Sequence, residues 1–99
     1  METTFYIEFD MKTPNGFETF ACFDIGNDRQ FALTLFSKLK GERKADETTI
    51  LHMDLVEKFR GLPVGIQVIS CTMDDLCGNV KTITRELFKR LSLDAVRRQ

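Results

Sequence analysis

What this chain lacks narrows its function first. It has no excess of charge: 14 lysines and arginines against 15 aspartates and glutamates leave a formal net charge of −1. Such a balance exerts no general pull on nucleic acid or anionic lipid. It has one histidine, His52, and three cysteines, Cys22, Cys71 and Cys77. Their spacing matches no zinc finger. It has no phosphate loop: Gly61, Gly65 and Gly78 fit neither the Walker nor the dinucleotide pattern. No Gly-x-Ser-x-Gly nucleophile elbow occurs. No apolar run approaches the roughly 20 residues that a membrane-crossing helix needs. The opening Met1-Glu2-Thr3-Thr4 is acidic and polar, unlike a secretory or transit leader. An odd number of scattered cysteines points to reduced thiols. The expectation is a cytoplasmic protein with no membrane segment, no metal site, no cofactor and no conventional catalytic site.

What is present is alternation. Phe5, Ile7, Phe9 and Met11 take turns with Tyr6, Glu8, Asp10 and Lys12, the pattern of a strand with one buried face. Thr13-Pro14-Asn15-Gly16 supplies a turn, and Phe17 to Ile25 returns. A turn centred on Asn15-Gly16 would set Ile7 opposite Asp24 and mix the faces. A turn centred on Pro14-Asn15, with Gly16 as a bulge, sets Thr13 opposite Phe17 and Lys12 opposite Glu18. It also sets Met11 opposite Thr19, Phe9 opposite Ala21, Ile7 opposite Phe23 and Phe5 opposite Ile25. Apolar then meets apolar, so the second register is expected.

Asn27 or Asp28 opens a helix over 28–40, with Asn27 and Gln30 spaced as a capping box. Phe31, Ala32, Leu35, Phe36 and Leu39 form its apolar stripe, and Gly41 stops it. Residues 41–48 read as an exposed polar connector. Thr49 to Phe59 and Ile66 to Met73 are the next two strands. A turn at Gly61-Leu62-Pro63 would pair Leu55 with Ile69, Met53 with Cys71, Val56 with Val68 and Asp54 with Ser70. A second helix, capped by Thr72 or Asp74, buries Leu76, Val80, Ile83, Leu87 and Leu91, with Phe88 beside them. The tail 93–99 is expected to fray.

The order is therefore ββαββα in a single domain, 1–99, whose halves, 4–41 and 49–92, share a plan but not residues. The fold class is α+β: a four-stranded antiparallel sheet with two helices packed on one face. Phe5, Ile7, Phe9, Phe23, Ile25, Leu51, Met53, Leu55 and Ile69 form the expected core.

A sheet covered on one side leaves a bare side. Tyr6, Phe20, Cys22, Ile50, His52, Val56, Ile66 and Val68 are expected there, among charges. An apolar group of that size marks an interaction surface. The expected function is a small interaction or regulatory domain, homodimeric through the helix-free face or joined to another protein. The candidate face residues are Tyr6, Phe20, Cys22, His52, Asp54, Val56 and Val68. The alternative is a small-metabolite-binding protein, or a weak enzyme, with a pocket near His52 and Asp54. A flat apolar patch would favour a protein partner, and a concavity with His52, Asp54 and Ser70 turned inward a small ligand. Tyr6 and Phe20 could stack on bases. Glu8, Asp10, Glu18 and Asp24 on the same face, opposed by Lys12, would repel phosphates, so nucleic acid is disfavoured.

Overall fold

The computed structural model describes residues 3–43 and 50–97, with side chains as far as residue 92. Residues 44–48 of the expected connector, Thr49, and the end of the tail lie outside the described residues. The order is β1 (Thr3–Thr13), β2 (Gly16–Gly26), α1 (Arg29–Ser37), β3 (Leu51–Phe59), β4 (Leu62–Cys71) and α2 (Met73–Arg97). The strands form one antiparallel sheet in the order β2-β1-β3-β4, so β1 and β3 are central. This is the expected α+β class and order.

The first turn is centred on Pro14-Asn15, but the bulge is not at Gly16. Thr13 pairs with Gly16, Lys12 with Phe17, Met11 with Glu18 and Asp10 with Thr19. Phe20 is then skipped, and Phe9 meets Ala21 and Ile7 meets Phe23 as expected. Thr13 ties the turn by accepting from Asn15 N at 3.1 Å and donating to Gly16 O at 2.8 Å. Glu18 and Phe20 therefore lose the open-face positions expected of them, and Phe17 and Thr19 take them. Three contacts accompany this register. The Thr19 hydroxyl donates to Asp10 at 2.6 Å, Phe17 stacks on His52, and the Phe20 ring meets Phe9 edge-on at 6.0 Å. A second irregularity skips Ile25, so Phe5 faces Gly26. Bulges in an edge strand such as β2 disrupt its outer ladder and discourage pairing with another chain.

The second hairpin turns earlier than expected, at Arg60-Gly61. Both residues have positive φ, 52° and 81°, the geometry of a two-residue turn that matches strand twist. Strand β4 therefore starts at Leu62. The register differs by two residues from the one expected: Met53 pairs with Ile69, Leu51 with Cys71, Asp54 with Val68 and His52 with Ser70. A slip of two keeps every side chain on its face, which is why the expected core survives it. Ile66 is the extra residue of a bulge between the Leu55–Gln67 and Val56–Gly65 pairs. It is partly buried and packs against the core cluster.

Asp28 alone caps α1, its Oδ1 accepting from Phe31 N at 3.1 Å. The helix ends at Ser37 with Lys38 as C-cap, short of the expected 40. Thr72 and Asp75 cap α2 reciprocally: Thr72 Oγ1 accepts from Asp75 N, and Asp75 Oδ2 accepts from Thr72 N. The helix continues to Arg97, through the segment expected to fray. Its later turns leave the core. Ile83 is fully buried, whereas Leu91, expected in the buried stripe, and Phe88, expected beside it, are 69% and 71% exposed.

One buried cluster unites Phe5, Ile7, Phe9, Ile25, Leu51, Met53, Leu55 and Ile69 of the sheet with Ala32, Leu35, Phe36, Leu39 and Ile83. Within it sits one buried polar side chain, Asn79, 1% exposed. Its Oδ1 accepts from Lys40 N at 2.7 Å and its Nδ2 donates to Lys40 O at 2.8 Å. The amide thus imitates a strand partner and fastens the segment after α1 to α2. The next residue, Gly41, passes so near β4 that a Cβ there would lie 2.7 Å from Ser70 O. That approach lets Glu42 and Ser70 exchange two backbone hydrogen bonds, at 2.9 and 2.8 Å.

Candidate functional site

Central strands are the best-supported positions in a sheet, and here they carry chemistry on the side away from the buried cluster. Glu8 and Asp10 are two apart on β1, and His52 and Asp54 are two apart on β3. Antiparallel pairing sets Glu8 opposite Asp54 and Asp10 opposite His52, so the four make a square. One carboxylate oxygen each from Glu8, Asp10 and Asp54 lies within 4.8 Å of the others. These three are the residues that could hold a cation.

The acids are not equivalent. Asp10 accepts the Thr19 hydroxyl. Asp54 Oδ1 is buried without a hydrogen-bond partner, and so is His52 Nε2. Burial first, then a side-chain hydrogen bond with Asp10 and the charges of Asp10 and Glu8, push the Asp54 carboxyl from its ordinary 3.8 up to about 7. A central carboxyl poised near neutrality is a physical sign of a functional site.

A groove of about 650 Å³ opens beside this square, lined by Arg43, His52, Asp54, Gly65, Ile66, Gln67 and Val68. Its volume falls in the range of small-molecule sites. Gly65 stands opposite Val56, and a Cβ added there would meet nothing within 4 Å. The missing side chain is part of what opens the groove. The Arg43 guanidinium is held at its margin, 5.7 Å over the Phe36 ring and 3.4 Å from Gln67 Oε1. The ring of Phe17 covers His52 from the other side, 4.2 Å between centroids and 12° between planes.

The seven face residues expected from the sequence divide into three groups. His52, Asp54 and Val68 line the groove, Val68 being 38% exposed directly opposite Asp54. Tyr6 and Val56 form the next cross-strand pair, with Lys58 Nζ 4.7 Å over the Tyr6 ring and Val56 buried. Cys22 lies on β2 opposite Glu8, its thiol pushed up by partial burial and by that carboxylate. Phe20 does not join them, because its ring meets Phe9 of the core. Sequence reasoning counted Glu8 and Asp10 only as repulsive charge and did not single out Phe17, Arg43 or Gln67. The signal for the square was available: acids two apart on one strand, and His52 and Asp54 two apart on another. Only the pairing of β1 with β3 joins them.

A second cavity, about 370 Å³, lies among Asp24, Ile25, Gly26, Asn27, Leu87, Arg90 and Leu91. Its cation is already engaged: Arg90 Nη2 donates to Asp28 Oδ2 at 2.9 Å, and the guanidinium lies 4.3 Å over the Phe31 ring. No helix of the described residues is long and apolar enough to cross a membrane. Comparison with family models, with curated proteins and with solved structures finds no match to this chain.

Proposed function

We propose that this chain is a small-ligand-binding domain whose site is the groove along β3 and β4, and that it acts by binding as a regulatory or interaction module. The observation that carries this reading is that His52 and Asp54, the side chains with buried, unpartnered polar atoms among the described residues, both line the groove. Leaving a buried polar group unsatisfied costs about 1–3 kcal/mol. Two such groups beside one concavity would be completed by a bound molecule once their side chains turn toward it. Of the three residues named for a small-ligand concavity, His52 and Asp54 line the groove and Ser70 does not, so the criterion set from the sequence is met in part. A reducing, cytoplasmic setting suits the reading, since Cys22, Cys71 and Cys77 are all free thiols.

The test is amide-resolved NMR of the protein titrated with pooled small metabolites. Shifts should gather at His52, Asp54, Gly65 and Val68 in the wild type and vanish in Gly65→Val, which fills open space with a side chain. Shifts spread evenly over the surface, or unchanged in Gly65→Val, would sink the reading.

Association of two copies through the same face is the second reading, favoured by the Phe17 ring, 44% exposed and stacked on His52. Light scattering of the wild type and Phe17→Glu separates the two readings. A dimer that becomes a folded monomer supports association, and a wild type monomeric at high concentration removes it.

A further inference from the structure

Away from the groove, we infer that two copies of this chain associate through the second half of α2, the Phe88 ring of each entering the cavity beside Ile25, Leu87 and Leu91 of the other. The helix runs about four turns past Ile83, its last buried residue among those described. Helical turns without tertiary packing are marginal in water. Phe88 and Leu91 nevertheless keep large apolar side chains exposed there. They are three apart, on one face of the helix.

Leu91 is also a wall of the cavity of about 370 Å³ that lies between α2 and the end of β2. Knob and hole thus adjoin on one surface, as a two-fold contact of like patches requires. A cavity of about 150 Å³ can hold a benzene ring, so this one has room for a phenyl group. The charges are complementary as well. Beside Phe88, Lys38, Arg85 and Lys89 share the single carboxylate of Glu86, at 3.1, 3.7 and 3.6 Å, a surplus of positive charge. At the cavity, Asp28 holds Arg90 at 2.9 Å and Asp24 adds a second carboxylate, a surplus of negative charge. A second copy brings the apolar ring and the matching charge together, so each knob fits the other's hole in both respects.

The experiment is sedimentation equilibrium of the whole chain from about 10 μM to 1 mM. The wild type should become a dimer within that range. Phe88→Ser should weaken association about a hundredfold, because the loss of one ring from each copy removes two central contacts. Phe88 is exposed, so the variant should keep the amide spectrum of the folded chain. Two charge reversals add a second reading. Asp24→Lys alone, and Arg85→Glu with Lys89→Glu in another copy, should each be monomeric where the wild type is dimeric. An equimolar mixture of the two should recover the dimer, since both contacts then join opposite charges.

A wild type that stays monomeric to the top of the range overturns the inference. So does a dimer that survives Phe88→Ser, including one that is lost in Phe17→Glu instead. A mixture that stays monomeric overturns the pairing of Phe88 and its cations with the Asp24 cavity. The small-ligand reading stands or falls separately, because none of the substituted α2 and β2 residues lines the groove.

Discussion

Glu8 on β1 and Asp54 on β3 are direct cross-strand neighbours, two acids side by side at the centre of the sheet. Like charges so placed destabilise an antiparallel pair, and Asp10 adds a third. The arrangement opposes the fold's own stability, and it lies where a groove reaches the sheet. Local conflicts of this kind concentrate at functional sites.

Stability should therefore depend on pH through Asp54. Its folded-state value, about 7, stands above the ordinary 3.8. Between these values the folded chain holds a proton that the unfolded chain releases. Stability is thus fully present below the lower value, falls as pH rises toward the upper one, and is level beyond it. Asp54→Asn, which cannot ionise, should exceed the wild type at pH 8 by roughly 1–2 kcal/mol, after discounting for solvent around a half-buried group. Near pH 4 the advantage should largely disappear. Urea unfolding at both pH values gives the answer, and an equal difference at the two would contradict the assignment.

Asn79 should matter more than any surface polar residue. Its amide makes both hydrogen bonds to the Lys40 backbone and is buried. Asn79→Ala removes the partner and leaves a void, costing roughly 2–4 kcal/mol. Asn79→Asp keeps the shape but trades the donor for a charge and should cost at least as much. Hydrogen exchange adds a local reading: the Lys40 amide should lose protection in both variants. Retained protection would show that Asn79 does not hold this segment.

Gly41, beside β4, and Gly65, within it, should differ in their tolerance of a methyl group. At Gly41 a methyl group would stand 2.7 Å from Ser70 O, with Ile69 and Cys71 side-chain atoms at 3.2 and 3.3 Å. Gly41→Ala should therefore part the Glu42–Ser70 bridge and destabilise by about 1–3 kcal/mol. At Gly65 nothing lies within 4 Å of the same methyl, and Gly65→Ala should stay within about 0.5 kcal/mol of the wild type. Thermal unfolding of the pair is enough. Comparable losses would mean that the close approach at Gly41 does not govern the bridge.

Much of the fold was legible in the chain. The alternation of Phe5, Ile7 and Phe9 against Tyr6, Glu8 and Asp10 identified the buried face of β1, because a strand can bury only one parity against a core. The stripe Ala32, Leu35, Phe36 and Leu39 did the same for α1. The site was half legible. His52 and Asp54 were singled out, but Phe20 was assigned to their face because its position was counted from a bulge at Gly16. The extra residue is Phe20 itself, and one residue of error in its placement reverses the parity of Phe17 to Phe20. On α2 the helical period marked Leu91 as buried. Periodicity reports which residues share a stripe, not how far along the helix the core extends, and Leu91 lies beyond it.

Local chemistry by itself determined the ββαββα order, the core parity and the helix starts, because each depends on interactions within a few residues: side-chain alternation, turn residues and caps. Tertiary structure decided which strands became neighbours, and with that the site. Glu8 and Asp54 are 46 positions apart in the chain, and nothing local to either specifies the other. The antiparallel register of β1 with β3 makes them a pair, and the curtailed side chain at Gly65 opens the groove beside them. A binding site depends on distances between remote residues, and only the completed sheet sets those distances.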